Sequence, residues 1–413
     1  MTSTSVSELF AITAPGLESI TLGELKKLGV KGKAELGGVS FRGDVETIYA
    51  TNLWLRTASR IVLRIASFHA STFHELERRA RQIPWANFLP ANPAVRVRVT
   101  CRKSRLYHSD AVAQRVLEAI SRAAPGVLPI KGDAKEENPD HDVTGDDRIE
   151  VPAQLFIVRI VDDQCEISAD TSGELLHRRG YRLEVGKAPL RETLAAAMLL
   201  ASGWKAVESL VDPLCGSGTI LIEAALLARG IAPGLRRKFA FMDWPNFSGE
   251  KWKQLLAGGE GSLVAIGSAP RIIGADRDAG AIDAAVRNAE RAGVEGDIRF
   301  AVRPMSVSLD ELGGLARPGW VLTNPPYGVR VGDAEGLRNL YAKLGSTVKS
   351  AAGWKLGILT SDTKLSRQMG LPMRARFSTT NGGISVAFFA QERPALSTVL
   401  LRERGVRGRI DGS

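Results

Sequence analysis

Three short apolar runs in the second half of the chain each end in a polar motif, and this series most constrains the fold. The first run leads into a glycine-rich turn, the second ends on Asp276, and the third ends in Asn-Pro-Pro-Tyr at 324–327. In an open, doubly wound parallel sheet, ligands bind outside the carboxyl ends of the strands. We therefore predict an α/β protein whose C-terminal half is a doubly wound, Rossmann-like domain with a ligand site at these strand ends.

The glycine-rich turn and the second strand end suit a nucleoside cofactor. Glycines let the backbone approach a ligand, and the helix predicted over 220–228 offers free N–H groups at its start. The phosphate-loop and dinucleotide patterns both fail, because no G-x-x-x-x-G-K-[ST] is present and Leu221 stands three residues after Gly218. A carboxylate at Asp276 can accept both ribose hydroxyls, whereas Asp278 suits a helix N-cap. The predicted cofactor-binding residues here are Asp212, Pro213, Cys215, Gly216, Ser217, Gly218, Asp276 and Arg277.

The third motif suits a flat molecule that carries an amino group. Two prolines stiffen the turn, so the Asn324 side chain and the Pro325 carbonyl can present two acceptors to one point. The ring of Tyr327 can stack on such a molecule. We predict that Asn324, Pro325, Pro326 and Tyr327 are catalytic, and that Asn324 also borders the cofactor. The alternative is a proline-rich turn from strand to loop with no chemical role.

The charge of the chain favours a polyanionic partner. Its net charge is +10 and its sequence pI is about 9.6, which suits nucleic acid. The alternation in 95–99 predicts a half-exposed strand with Arg96 and Arg98 on one face, and Arg102 and Lys103 extend this basic stripe. Tyr107 and His108 add flat rings, so the stripe suits phosphate contact and base stacking. A solvated sheet edge is the alternative.

Several other functions are disfavoured by composition. All five histidines precede the catalytic half, which argues against a histidine general base there. The three scattered cysteines fit a reducing cytoplasm and predict neither disulfides nor a metal site. No membrane span or signal peptide is predicted. A polar, mostly acidic loop is predicted over 131–148; it has Val151 where a calcium loop needs Glu, so no metal is expected.

The segment between the halves carries the most specific resemblance. It reads D-T-S-G-E-L-L-H-R-R-G-Y-R at 170–182 and K-A-P-L-R-E-T-L-A-A at 187–196. With the three strand-end motifs, it resembles the THUMP-domain class I S-adenosylmethionine-dependent RNA guanine-N2 methyltransferases. The resemblance extends from Glu8 to Phe389.

This resemblance implies an organisation, a cofactor and a reaction. It implies a ferredoxin-like unit at 1–68, a THUMP RNA-binding domain at 69–170 that could begin near residue 45, a linker at 171–186 and a methyltransferase domain at 187–395. The polar, Gly- and Arg-rich composition of 396–413 predicts a flexible basic tail. The cofactor would be S-adenosylmethionine. The reaction would be methyl transfer to the N2 amine of a guanine in RNA, with 23S ribosomal RNA favoured and transfer RNA as the alternative. A cytoplasmic monomer is favoured.

The resemblance also assigns further residues. Arg191 and Thr193 would belong to the floor of the cofactor site, although Pro189 makes a plain helix start the alternative. The family usually places an acid against adenine after the third strand. This chain has no acid there, and the backbone of Met305 or Ser306 is expected to serve instead. The RNA contacts expected in the linker are Arg178, Arg179 and Arg182.

Other functions stay open at this stage. The same amine site would serve adenine in DNA or a glutamine side chain in a protein. A non-catalytic RNA-binding assembly factor is the remaining alternative.

Overall fold

The computed structural model describes residues 6–90, 93–130, 153–183, 190–261, 272–306, 318–326 and 334–392. The predicted acidic loop at 131–148, Pro189, Tyr327 and the tail at 396–413 lie outside these residues. Within the described residues the strands form one sheet of eight and one of seven.

The first sheet is built from the N-terminal half. Its strands are β1 (Ser7–Thr13), β2 (Gly32–Glu35), β3 (Gly38–Gly43), β4 (Ala58–His69), β5 (Ala94–Arg102), β6 (Leu128–Pro129), β7 (Ala153–Val161) and β8 (Gln164–Asp170). The accompanying helices are α1 (Glu18–Lys27), α2 (Val45–Trp54), α3 (Phe73–Ala80) and α4 (Ser109–Ala123). The strand order is β2-β3-β1-β4-β8-β7-β5-β6.

Strand β4 joins the two predicted units of this half. It pairs antiparallel with β1 on one edge and with β8 on the other. The sheet therefore runs without a break through the boundary predicted at residues 68 and 69. The bounds predicted for the ferredoxin-like unit and the THUMP domain remain predictions, because the two units lie within one continuous sheet.

The second sheet confirms the doubly wound prediction. Its strands are β9 (Ser209–Asp212), β10 (Ile272–Asp276), β11 (Ile298–Val302), β12 (Gly319–Thr323), β13 (Lys355–Thr360), β14 (Met373–Asn381) and β15 (Ile384–Gln391), in the order β11-β10-β9-β12-β13-β15-β14. Its helices are α5 (Glu192–Ser202), α6 (Thr219–Ala228), α7 (Gly249–Gly259), α8 (Ala279–Ala292), α9 (Ala334–Ser350) and α10 (Thr363–Gln368). The neighbouring strands β11, β10, β9, β12 and β13 are parallel. At the edge, β15 runs antiparallel to β13, and β14 runs antiparallel to β15.

The hydrophobic core of the first half includes residues of the catalytic half. Phe241 and Trp252 come from the catalytic half but belong to the buried cluster of the first half. Tyr49 of α2 stacks on Phe241 with 4.6 Å between ring centroids and meets Trp252 edge-on at 5.9 Å. Such aromatic pairs contribute about 0.5–1.5 kcal/mol each beyond the area they bury. The first half is thus packed directly against the catalytic half.

No helix in the described ranges is long and apolar enough to cross a membrane. Nor do the described side chains include a group of three or more His, Cys, Asp or Glu that could hold a metal ion.

Candidate active site

Three strand ends meet at one edge of the seven-stranded sheet. Strands β10 and β12 flank β9 in matching register, because Ile272 and Trp320 both lie opposite Leu210. Asp276 lies four positions after Ile272, and Asn324 lies four positions after Trp320. The two residues therefore lie at the same level, one on each side of the end of β9. Neighbouring strands are about 4.8 Å apart, which separates the two backbones by about 10 Å. The chain reverses its strand order between β9 and β12, where such folds bind ligands.

The glycine-rich turn is held by its own backbone and by the next strand. Cys215 N–H donates to the Ala275 carbonyl at 2.9 Å, and Gly218 N–H donates to the Cys215 carbonyl at 2.9 Å. Gly216 and Gly218 have φ of +51° and +82°. A Cβ on Gly218 would lie 3.1 Å from that of Ala285, whereas one on Gly216 would meet no atom of the described residues within 4 Å. Gly218 therefore permits helix packing, and Gly216 leaves open space above the turn.

Asp276 is fixed by two backbone donors. Its Oδ2 accepts from Gly216 N–H and its Oδ1 from Asp278 N–H, both at 3.1 Å. A carboxylate has about four acceptor sites, so capacity remains for ribose hydroxyls. The exposed Arg277 follows it. Asp278 caps α8, as predicted, by accepting from Gly280 N–H at 2.9 Å.

Asp212 and Cys215 are buried beside this turn. Asp212 Oδ1 accepts from Leu214 N–H at 3.1 Å. Burial raises the pKa of the Asp212 carboxyl to about 7, and the charge of Asp276 acts in the same direction. Burial also raises the pKa of the Cys215 thiol well above its ordinary value. Cys215 is thus a protonated, packed residue rather than a thiolate nucleophile.

The third motif borders the same edge of the sheet. Asn324 is half-buried, Pro325 is buried and Pro326 is exposed. After β11, Arg303 N–H donates to the Asp276 carbonyl at 2.8 Å. Met305 is half-buried just beyond it. The segment predicted to face adenine therefore lies next to the acid predicted to bind ribose.

The predicted floor residues begin helix α5. Arg191 occupies the N-cap position, and its carbonyl accepts from Ala195 N–H at 2.9 Å. Thr193 is buried in the first turn. Arg191 and Thr193 therefore form a helix start, which was the alternative prediction for them. Their contact with a cofactor remains a prediction.

The basic stripe of the first half is partly exposed. Arg96 and Arg98 are half-buried on β5, while Arg102 and Lys103 are exposed at its end. In the loop that follows, Ser104 Oγ and Arg105 N–H both donate to Asp163 at 2.7 Å. This anchored loop presents Tyr107, which is 69% exposed, with its ring 4.0 Å from that of His108.

Two of the three linker cations predicted to contact RNA have a structural role instead. Arg178 is exposed, but Arg179 and Arg182 have buried side chains. Arg179 Nε lies 3.4 Å from Glu223, and Arg182 Nε lies 3.0 Å from Glu192. A guanidinium already desolvated against a carboxylate does not reach a phosphate, so the prediction of RNA contact was wrong for Arg179 and Arg182.

Comparison with known families agrees with this arrangement. A model described as an RMKL-like methyltransferase domain matches residues 179–388. Models of the RlmL ferredoxin-like domain and the THUMP domain match residues 8–62 and 70–146. The chain belongs to this methyltransferase family.

Relatives within the family differ in length. A Methylococcus capsulatus protein named ribosomal RNA large subunit methyltransferase K/L is 36% identical over 92% of this chain and 50% of its own length. The chain thus spans about half the length of such relatives. A Synechocystis protein, slr0064, named as a candidate RNA methyltransferase, is 33% identical over 93% of this chain and 96% of its own.

A similar solved structure identifies the methyl donor. The structure of SMU.472, a candidate methyltransferase complexed with S-adenosylhomocysteine, has a TM-score of 0.78 and 29% identity, and the match covers 95% of this chain and all of that one. S-adenosylhomocysteine is S-adenosylmethionine without its methyl group, so the donor of this family is S-adenosylmethionine. The open space above Gly216 and the remaining acceptor capacity of Asp276 fit this molecule.

Proposed function

We propose that this chain transfers the methyl group of S-adenosylmethionine to the exocyclic N2 amine of a guanine in the large-subunit ribosomal RNA, 23S. The observation that carries the proposal is the position of Asn324 and Pro325 at the end of β12, directly beside the strand that leads into the cofactor turn. The matched THUMP domain and the relatives named as ribosomal RNA methyltransferases support RNA as the substrate.

Two acceptors prepare the amine for transfer in this proposal. An exocyclic amine is a weak nucleophile because its lone pair is delocalised into the base. Asn324 Oδ1 and the Pro325 carbonyl accept hydrogen bonds from its two N–H groups. These bonds favour a pyramidal nitrogen whose lone pair faces the glycine-rich turn. Tyr327 is proposed to stack on the base. Bound S-adenosylmethionine supplies an electrophilic methyl group. Most of the acceleration then comes from alignment and electrostatics, and the proton leaves after transfer.

The cofactor would be held by the turn and the strand end. Gly216 and Ser217 provide backbone beside the methionine part, and Asp276 accepts the ribose hydroxyls. Met305 would border the adenine through its backbone, and Arg191 and Thr193 would close the floor. The adjacent residues Asp212, Pro213, Cys215, Gly218 and Arg277 complete the proposed cofactor-binding set.

The RNA would be held by the first half. The exposed Arg102 and Lys103 supply charge for phosphates, and Tyr107 with His108 supplies rings for an unpaired base. The half-buried Arg96 and Arg98 and the exposed Arg178 extend this proposed surface. The target guanine has to be unpaired or flipped out of a stem to reach the sheet edge.

Identification of the methylated product tests this function. The chain is incubated with labelled S-adenosylmethionine and total RNA from a strain that lacks the gene, and the RNA is separated by size and digested to nucleosides. We expect labelled N2-methylguanosine in the large ribosomal RNA. Label in transfer RNA would overturn the choice of RNA. In a parallel incubation with DNA, label in adenine of DNA with none in RNA would overturn the guanine assignment.

A further inference from the structure

A continuous set of hydrogen bonds connects the linker to the glycine-rich turn at 215–218 through two side chains of α8. Arg291 Nε donates to the Tyr181 carbonyl at 2.9 Å, and its Nη2 donates to Asn288 Oδ1 at 2.6 Å. Asn288 Nδ2 in turn donates to the Ser217 carbonyl at 3.2 Å. One guanidinium and one amide therefore connect the linker backbone to the backbone of the turn.

Asn288 occupies a position where packing alone would favour an apolar residue. It lies on the buried stripe of α8 with Ile282, Ala285, Ala289 and Ala292, and it has no exposed surface. Burial of an amide is costly unless its polar atoms are hydrogen-bonded. Here one end of the amide holds the Ser217 carbonyl and the other receives Arg291. The side chain thereby fixes the orientation of the peptide between Ser217 and Gly218.

The same linker also contacts the helix that follows the turn. Glu223 is fully buried in α6, one turn after its first residue. It accepts from the Tyr181 hydroxyl at 3.0 Å and faces Arg179 at 3.4 Å and Arg56 at 3.7 Å. Arg179 Nη2 also donates to the Arg56 carbonyl at 2.6 Å. The linker and the first half are therefore bonded to α6 as well as to α8.

We propose that Asn288 and Arg291 are positioning residues for cofactor binding. They hold the turn at Ser217 against the linker. Affinity for the cofactor therefore depends on the hydrogen bonds that Arg291 and Asn288 make between the linker and the turn. The inference rests on the proposed placement of the cofactor beside this turn, and it is independent of the RNA and the amine proposed above.

Calorimetric titration of the full chain with S-adenosylhomocysteine tests the inference. Asn288→Asp keeps the acceptor for Arg291 and removes the N–H donor to Ser217. We expect its Kd to rise about tenfold, the effect of removing one hydrogen bond, while the thermal midpoint of the free protein moves by less than about 3 °C. Asp283→Asn, an equal-sized change at an exposed position of α8, should alter neither value.

Arg291→Lys provides a second, independent variant. Lysine keeps the charge but lacks the planar fork that bonds Tyr181 and Asn288 together, so we expect a Kd increase of about fivefold at an unchanged midpoint. If Asn288→Asp does not fold, this variant decides. Wild-type affinity in a folded variant would overturn the proposal, and so would weaker binding that appears only with a matching decrease of the midpoint, because that pattern indicates a structural role.

Discussion

Asp212 and Asp276 are neighbouring carboxylates with different surroundings. Asp276 is half-buried and accepts from two backbone N–H groups. Asp212 is 2% exposed, and its burial raises its pKa to about 7. The free protein therefore holds a proton on Asp212 at pH values where the unfolded chain has released it.

This difference predicts a specific effect of Asp212→Asn on stability. The carboxyl titrates near 3.8 when unfolded and near 7 when folded, so its contribution to the free energy of unfolding falls as pH rises between these values. Asparagine does not titrate and can accept the same bond from Leu214. We expect the stability of the variant relative to wild type to grow by on the order of 2–3 kcal/mol between pH 5 and pH 8.

Urea unfolding at the two pH values measures this prediction. The exposed Asp283→Asn should keep the wild-type pH dependence. An equal pH dependence in Asp212→Asn and wild type would show that Asp212 titrates normally in the folded protein.

At the scale of elements, the linker and the loop after β5 use their cations differently. The linker buries Arg179 and Arg182 against carboxylates that come from α6 and α5. The end of β5 and the loop after it leave Arg102 and Lys103 exposed, and this loop is anchored by Asp163 instead. We therefore expect the loop to contribute to RNA affinity and the buried linker cations to contribute to stability.

The salt dependence of RNA binding separates these roles. Arg102→Gln should lower the slope of log Kd against log salt by about 0.7 for each single-strand phosphate that the arginine neutralises. Arg179→Gln should leave that slope unchanged and lower stability by about 3 kcal/mol, because Glu223 is deprived of a buried partner. Lys27→Gln, an exposed change on α1, should alter neither value. A smaller slope in folded Arg179→Gln would restore that residue as an RNA contact.

Local sequence was sufficient for some elements and insufficient for others. The cap at Asp278 and the strand that ends at Asp276 depend on neighbours in the chain, so they could be predicted. Helix α7 was missed, although Ser248 caps it and Trp252 begins an apolar stripe. The burial of Arg179 could not be predicted, because it depends on Arg56, which is 123 positions away.

At the scale of the whole molecule, the two halves are packed directly against each other. The eight-stranded sheet continues through β4, and Phe241 of the catalytic half is buried against Tyr49 of the first. The order of the sheet motifs predicted where the cofactor turn and Asn324 would meet. Sequence alone could not predict this shared core or the continuous sheet, because both join residues about 100 or more positions apart.

The most direct test of the account is single-turnover methyl transfer by Asn324→Ala. Removal of the acceptor should slow transfer to RNA by at least about 100-fold. Because Asn324 is also predicted to border the cofactor, the Kd for S-adenosylhomocysteine should rise as well, but by no more than about tenfold, the effect of one lost contact, since the turn and Asp276 are intact. Asp283→Asn serves as the control. An Asn324→Ala variant that forms N2-methylguanosine at the wild-type rate would contradict the account.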